Sequence, residues 1–207
     1  MARLIHRGAE AEVYESDLWG LPVIEKRRIK KGYRHPALDI RLRTARTRLE
    51  ARILMRAKEK GVRCPAVLDV WEDTMLLEKV EGPTLLEILK SEPIQESLAE
   101  ELGRQVGLMH AAGIVHNDLT PLNVILTGER EICLLDFGLG EFSKSVEDMA
   151  VDLHVLKKSV AALAPSEAER FFEALLRGYK EANPKADLVV KRLEKVEARG
   201  RYRSWIG

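Results

Sequence analysis

The 26 residues from Gly113 to Gly138 constrain this chain more than any other stretch. An apolar Ile114-Val115 leads into His116, Asn117 and Asp118, and four residues separate Asp118 from Asn123. Val124 to Leu126 and Ile132 to Leu135 read as two short strands about a turn at Gly128, and Asp136-Phe137-Gly138 follows. Each piece alone is ordinary: Asp-Phe-Gly is a common turn, His-x-Asp is commoner still, and a lone asparagine can cap a loop. Their order, with two strands between them, is not ordinary, because a motif becomes informative when its structural context comes with it. Asp118, Asn123 and Asp136 then sit on two adjacent loops as short-armed groups that can converge on one point.

That order matches the catalytic loop and metal loop of a protein-kinase-like phosphotransferase. Phosphoryl transfer asks little covalent work of a protein; catalysis is positioning plus neutralisation of charge. Asp118 is the candidate base, accepting or orienting the nucleophile's proton, and Asn123 and Asp136 are the candidate oxygen ligands to Mg²⁺ held against the phosphates of ATP. His116 is expected to bond the backbone and do no chemistry.

With 207 residues, 45% of them apolar, the chain can bury a core as one compact unit of two lobes. Nothing approaches the 18 or so consecutive apolar residues of a membrane span, and Arg3, His6 and Arg7 interrupt the N-terminus where a signal peptide needs apolar sequence. The expectation is a soluble, cytoplasmic protein with no membrane partner. Cys64 and Cys133 lack metal-like neighbours and read as free thiols in a reducing compartment. The net charge of +1 hides an asymmetry: residues 26–56 carry +10, residues 185–207 carry +4, and the remainder −13. Such segregation suggests a polyanionic partner, against the alternative of a solvated, arginine-rich helix face and a basic tail.

Residues 3–7 and 12–15 look like strands joined by Gly8-Ala9-Glu10-Ala11, where a kinase folds a glycine-rich loop over the phosphates. Glu10 would repel phosphate unless it points away or pairs with a cation. Val23 to Arg28 reads as a third strand carrying Lys26, the candidate for the ATP phosphates. A helix from about Asp39 to Lys60 ends at Gly61. Glu50 borders its inward apolar face of Ile53, Leu54 and Ala57, and is the natural partner for Lys26. Residues 66–71 and 74–77 form a hairpin, and the following Glu78-Lys79-Val80 segment is the expected hinge, with Glu78 and Val80 placed to meet adenine.

The second lobe reads as helices. Thr84 with Glu87 forms a capping box; Leu98, Leu102, Val106 and Met109 mark a longer helix; another starts near Val146; Ser166 with Glu169 caps a fourth; and the last runs from about Lys185 to Arg199. Only about seven residues separate Gly138 from the helix near Val146, and no Ala-Pro-Glu follows, so the activation segment that docks peptides has no room. The expected fold is therefore α+β and bilobal, protein-kinase-like, with a small β-rich N-lobe holding one long helix and a reduced, mainly helical C-lobe without an activation segment. Its boundaries are 1–79, 80–198 and a basic tail, 199–207. In that tail Arg199, Arg201 and Arg203 alternate beside Tyr202 and Trp205, a pattern suited to tRNA phosphates or to a partner protein.

These residues resemble one family over nearly the whole chain: the small atypical kinase/ATPase subunit of the KEOPS (EKC) tRNA-modification complex, a relative of the RIO-type kinases. The marks are Gly8-Ala9-Glu10-Ala11, Lys26 followed by Lys31-Gly32-Tyr33-Arg34-His35-Pro36, Glu50, Asp118-Leu119-Thr120, Asn123, Asp136-Phe137-Gly138-Leu139, Glu147-Asp148 with Ala150-Val151-Asp152, and the Arg-Gly-Arg-x-Arg-Ser-x-Ile-Gly terminus. The family usually has Gly where this chain has Asn117, an apolar residue in place of Glu25, and often Lys in place of Met149. The resemblance implies a partner-dependent Mg-ATP ATPase with serine autophosphorylation and weak serine/threonine protein kinase activity. It implies docking of the C-lobe on the threonylcarbamoylating subunit, a small subunit on the N-lobe, and support of threonylcarbamoyladenosine formation beside the anticodon of tRNA. Competing readings are a small-molecule kinase, for which no acceptor-binding insertion is visible, a RIO-type ribosome-assembly kinase, and an ATP-gated binding module in which hydrolysis is incidental.

Overall fold

The computed structural model describes residues 2–91, 95–129 and 131–203. Three strands open the chain, β1 (Arg3–Arg7), β2 (Ala11–Leu18) and β3 (Leu21–Arg28), followed by the helix α1 (Pro36–Glu59) and the hairpin β4 (Val67–Trp71) and β5 (Thr74–Glu78). They form one antiparallel sheet in the order β1-β2-β3-β5-β4. In β3, Lys26 opposes Val13 on one side and Met75 on the other, and it is buried together with Arg28, while Arg27 between them is exposed. The period of two in a strand explains the alternation. Glu25 departs from the family's usual apolar residue without disturbing this register, since it lies on the opposite face and bonds Arg27 Nε at 2.6 Å.

The C-lobe contains α2 (Leu85–Ser91), α3 (Glu96–Ala111), β6 (Ile114–Val115), a 3₁₀ turn (Pro121–Asn123), β7 (Val124–Leu126), β8 (Ile132–Leu134), β9 (Glu141–Phe142), α4 (Val146–Leu163), α5 (Ala168–Ala182) and α6 (Ala186–Arg203). The capping box at α2 forms as expected: Thr84 Oγ accepts the Glu87 N–H at 3.2 Å and the Glu87 carboxylate accepts the Thr84 N–H at 2.7 Å. Two expectations are corrected. Ser166 does not cap α5, because residues 164–167 close a turn of their own, Glu167 N–H to Ala164 carbonyl at 3.1 Å, and the helix starts at Ala168. The last helix does not end at Arg199 but continues to Arg203. The short strand β9 escapes sequence inspection altogether; it pairs with β6, Ile114 opposite Phe142 and Val115 opposite Glu141.

α3 and α5 cross with their backbones almost in contact. A Cβ at Gly103 would lie 1.9 Å from the Leu175 carbonyl oxygen, and one at Gly178 would lie 1.9 Å from that of Glu100. Glycine is obligatory at such an approach, and the crossing brings His110 of α3 to Tyr179 of α5. One apolar core runs through both lobes, from Ile53 and Leu54 of α1 to Phe137 and on to Leu102, Leu153 and Leu175. Residues Ser143 to Ser145 are the whole connection from β9 to α4, so the short interval after Gly138 is occupied without an activation segment. Among the described residues no helix is long and apolar enough to cross a membrane.

Candidate active site

The sheet and α1 place Lys26 at the centre of an ion cluster. Its Nζ donates to Glu50 Oε1 at 2.6 Å and to Asp136 Oδ1 at 2.7 Å, which joins β3, α1 and the Asp-Phe-Gly loop at one atom. Burial works against the Lys26 charge, but the Glu50 and Asp136 carboxylates outweigh it and hold the ammonium above its ordinary pKa. Asp136 is shifted the other way: burial pushes its carboxyl up, and the Lys26 ammonium, the Gly138 N–H and His116 together bring it below the usual carboxylate range. The pairing expected between Lys26 and Glu50 is present. Glu50 also takes Arg28 Nη2 on its second oxygen at 2.6 Å.

Asp118 and Asn123 face each other across the catalytic loop. The Asn123 amide donates to the Asp118 carbonyl at 2.9 Å and to Asp118 Oδ2 at 3.1 Å, which leaves its amide oxygen as the group it can offer a cation. The pairing of β7 with β8 and a bond from the Leu135 N–H to the Asn123 carbonyl at 2.8 Å bind this loop to the one carrying Asp136. Asp118, Asp136, Lys26 and Arg28 line a cavity of about 190 Å³ with Gly138, Leu139, Val13, His6 and the Gly8-Ala9-Glu10-Ala11 loop. The Glu10 carboxylate is answered by Arg46 at 2.8 Å and by Lys31 at 3.3 Å, so the condition under which it could sit near phosphate is met.

Glu78 and Val80 do not line this cavity. The Glu78 carboxylate instead accepts the Ala66 N–H at 2.9 Å and lies 3.4 Å from Lys58 Nζ. Arg199 bonds Glu147 of α4 at 2.7 Å, and the side chains of Arg201 and Arg203 lie outside the described residues, as do Ser204 to Gly207.

The residues present fit a metal-bound polyphosphate. Arg28 Nε is buried without an acceptor in a wall of the cavity. A Cβ at Gly138 would sit 2.9 Å from Asp136 Oδ1 and 3.3 Å from Lys26 Nζ, so glycine there keeps open the space in which the cluster meets a ligand. No group of three or more His, Cys, Asp or Glu among the described residues could hold a metal alone. One carboxylate and one amide oxygen suit Mg²⁺, which keeps phosphate and water in its remaining positions.

Sequence inspection underrates Asp152, quoted above only among the family marks. Fully buried on α4, it accepts the N–H groups of His116 at 2.6 Å and Asn117 at 2.7 Å and pairs with His110 Nε2 at 3.2 Å. His110 Nδ1 meets the Tyr179 hydroxyl at 2.8 Å, and Asn183 Nδ2 donates to that hydroxyl at 2.6 Å. Burial pushes the Tyr179 phenol above its usual range, so it remains a donor. His116 is structural, as expected: Nε2 bonds the Leu135 carbonyl at 2.8 Å and its ring packs on Phe137 at 4.8 Å. Asn117 has φ +61°, a left-handed position that glycine fills freely and asparagine tolerates best among the others. This explains why Asn serves where the family usually has Gly. Asp136, at φ +52°, carries the strain common at functional sites. The signal for Arg28 is its spacing of two from Lys26 on one strand face; no local signal marks Asp152.

The RIO domain family model matches residues 24–153, from β3 through Asp152. The chain is 44% identical over 218 residues to KEOPS complex subunit Bud32 of Pyrococcus abyssi, covering 99% of both chains. It is 39% identical over 198 residues to a probable serine/threonine-protein kinase BUD32 homolog of Archaeoglobus fulgidus, covering 96% of this chain and 95% of that one. It is also 41% identical over 201 residues to a probable bifunctional tRNA threonylcarbamoyladenosine biosynthesis protein of Methanothermobacter thermautotrophicus, where 96% of this chain matches 36% of the longer one.

Proposed function

The chain belongs to the RIO-domain family and, within it, to the Bud32 subunits, and from that premise we propose that it is a Mg-ATP-dependent atypical serine/threonine kinase and ATPase. It acts as a KEOPS subunit in threonylcarbamoyladenosine modification of tRNA. The observation that carries the reading is the three-way junction of Lys26, Glu50 and Asp136, with Asp118 lining the same cavity and Asn123, which does not line it, bonded to Asp118. Lys26 holds the polyphosphate, Glu50 orients Lys26, and Asp118 receives or directs the proton of the incoming hydroxyl or water. Asn123 and Asp136 hold Mg²⁺, which when bound neutralises phosphate charge. The small-residue loop Gly8-Ala9-Glu10-Ala11 covers the phosphates, and the backbone around Glu78 and Val80 borders adenine. Since only Ser143 to Ser145 separate β9 from α4, a free peptide finds no docking segment, which favours turnover coupled to a partner.

The partners proposed are the threonylcarbamoylating subunit on the C-lobe, a small subunit on the N-lobe, and tRNA. Trp19, 93% exposed in the turn between β2 and β3, Leu21 at the start of β3, and Leu4 and Ile5 on the edge strand β1 are exposed apolar side chains of the N-lobe suited to a protein partner. Much of the basic charge of residues 26–56 is answered internally, as with Lys26, Arg28, Arg43 and Arg46. Arg41, Arg48 and Arg52 remain exposed on α1 at spacings of seven and four, one helix face that suits a phosphate backbone.

The test is Mg²⁺-dependent ATP turnover by the chain alone and with its threonylcarbamoylating partner and tRNA, scoring free and protein-bound phosphate separately. Partner-stimulated phosphate release is expected, reduced about 10²- to 10⁴-fold in Asp118→Ala, the usual worth of a general base. Phosphate accumulating on protein regardless of partner and tRNA would instead make this a signalling kinase, and an unchanged rate in a folded Asp118→Ala would remove Asp118 from the mechanism.

A further inference from the structure

Glu50 is 3% exposed and holds a cation on each oxygen, Lys26 on Oε1 and Arg28 on Oε2, both at 2.6 Å. Glu50 alone would suffice to orient Lys26, yet Lys26 is also drawn to Asp136 at 2.7 Å. The cluster therefore contains two cations and two carboxylates, balanced as it stands. Remove Arg28, and Lys26 is left between two carboxylates in a cleft floor of net negative charge. That floor would hold Lys26 back from an entering polyphosphate and repel the ligand as well. Arg28 lies two residues beyond Lys26 on the same inward face of β3, is 6% exposed, and keeps its Nε without an acceptor in the cavity wall. A buried N–H with no partner is a cost that an anionic oxygen nearby relieves.

Resting on the nucleotide-site reading above, we propose that Arg28 is a positioning residue for the polyphosphate. It holds the second oxygen of Glu50, so that when Lys26 turns from Asp136 to the phosphates the buried Glu50 carboxylate stays paired and the four side chains together carry no net negative charge. Its effect is electrostatic, so it scales with the charge of the ligand: it is absent for an uncharged nucleoside and grows with each phosphate. A residue that merely braced β3 against α1 would affect every ligand of the cleft alike.

The experiment is calorimetric titration of the folded protein, in Mg²⁺, with adenosine, ADP and ATP. Arg28→Gln should leave the adenosine Kd within about twofold and weaken ADP and ATP by about 10- to 100-fold, the range corresponding to one charge-assisted hydrogen bond. Arg28→Lys, which keeps the charge balance, should restore most of that loss. Equal weakening of all three ligands in Arg28→Gln would overturn the proposal, as would unaltered ADP and ATP binding. Should Arg28→Gln not fold, Arg28→Lys decides: a ratio of adenosine to ATP affinity close to wild type supports the charge argument, and a selective ATP loss beyond about tenfold refutes it. Failure of the wild type to bind any nucleotide would sink the site reading itself, an outcome distinct from any difference between variants.

Discussion

Asp152→Asn is the sharpest probe of how the catalytic loop is held. In the wild type Asp152 Oδ2 accepts the His116 N–H at 2.6 Å and meets His110 Nε2 at 3.2 Å, while Oδ1 accepts the Asn117 N–H at 2.7 Å. Asp152 and His116 are fully buried and His110 is 1% exposed, so water cannot replace a lost acceptor. Asparagine has the same shape but one oxygen. Turned one way, its NH₂ group faces the buried His116 N–H; turned the other, it faces the N–H of Asn117, an exposed residue, so one backbone donor is stranded in either case. One stranded donor costs about 1–3 kcal/mol and the loss of charge assistance roughly 1 kcal/mol more. A total of about 2–4 kcal/mol, at about 2–4 °C for each in a chain of this size, lowers Tm by roughly 4–16 °C. The same substitution loosens the two residues that precede Asp118, and a small displacement of a positioned group can cost about 10²-fold in rate. Scanning calorimetry and ATP turnover on the same preparation measure both. A Tm within about 2 °C of wild type, with turnover unchanged, would refute the claim that this carboxylate holds the loop.

Gly138→Ala should lower ATP affinity by about tenfold or more while leaving the fold intact, since its Cβ crowds Asp136 Oδ1 and Lys26 Nζ at 2.9 and 3.3 Å and not the core; titration with ATP decides. Thr84→Ala removes the side-chain acceptor at the start of α2 and should cost about 1 kcal/mol in urea denaturation, with no effect on nucleotide binding. Burial pushes the Cys133 thiol up to about 12 and the Cys64 thiol up to about 11, so at pH 8 neither should react with a disulfide reagent until the protein is unfolded. The ion cluster also sets a pH window. Asp136, lowered from 3.8, contributes stability that is full above its unfolded pKa and lost as the pH falls through the folded one. Lys26, raised from 10.5, contributes stability that is full below its unfolded pKa and lost as the pH rises through the folded one. The destabilisation by Lys26→Met should thus be flat from about pH 5 to pH 9 and shrink outside that range; a maximum within it would contradict the assignment.

The chemistry of the cleft was legible because it is locally encoded. Asp118, Asn123 and Asp136 lie within one stretch whose strands dictate how its loops meet, and Lys26 and Glu50 declare themselves through a strand period and a helix face. Arg28 was equally open to the period-of-two argument, yet it is one of twelve basic residues spread over residues 26–56, a stretch that reads as one solvated surface. Only the paired sheet distinguishes the arginine turned inward from those on the exposed face of α1. The expected cap at Ser166 failed for a related reason: a capping pattern states what a helix start would accept, and a four-residue turn ending in Glu167 took the position first.

By itself the sequence determined the order of the longer elements, the inward faces of α1 and of β3, and the residue types gathered at the cleft, since all of these follow from spacing along the chain. Tertiary structure alone decided what holds those groups in place. Asp152 reaches the backbone of His116 from 36 residues away, Lys26 reaches Asp136 across 110, and His110 meets Tyr179 across 69 only because Gly103 and Gly178 let two helices touch. Separations of that length leave no periodic trace in a sequence, and the contacts exist only once the core common to both lobes has closed around them.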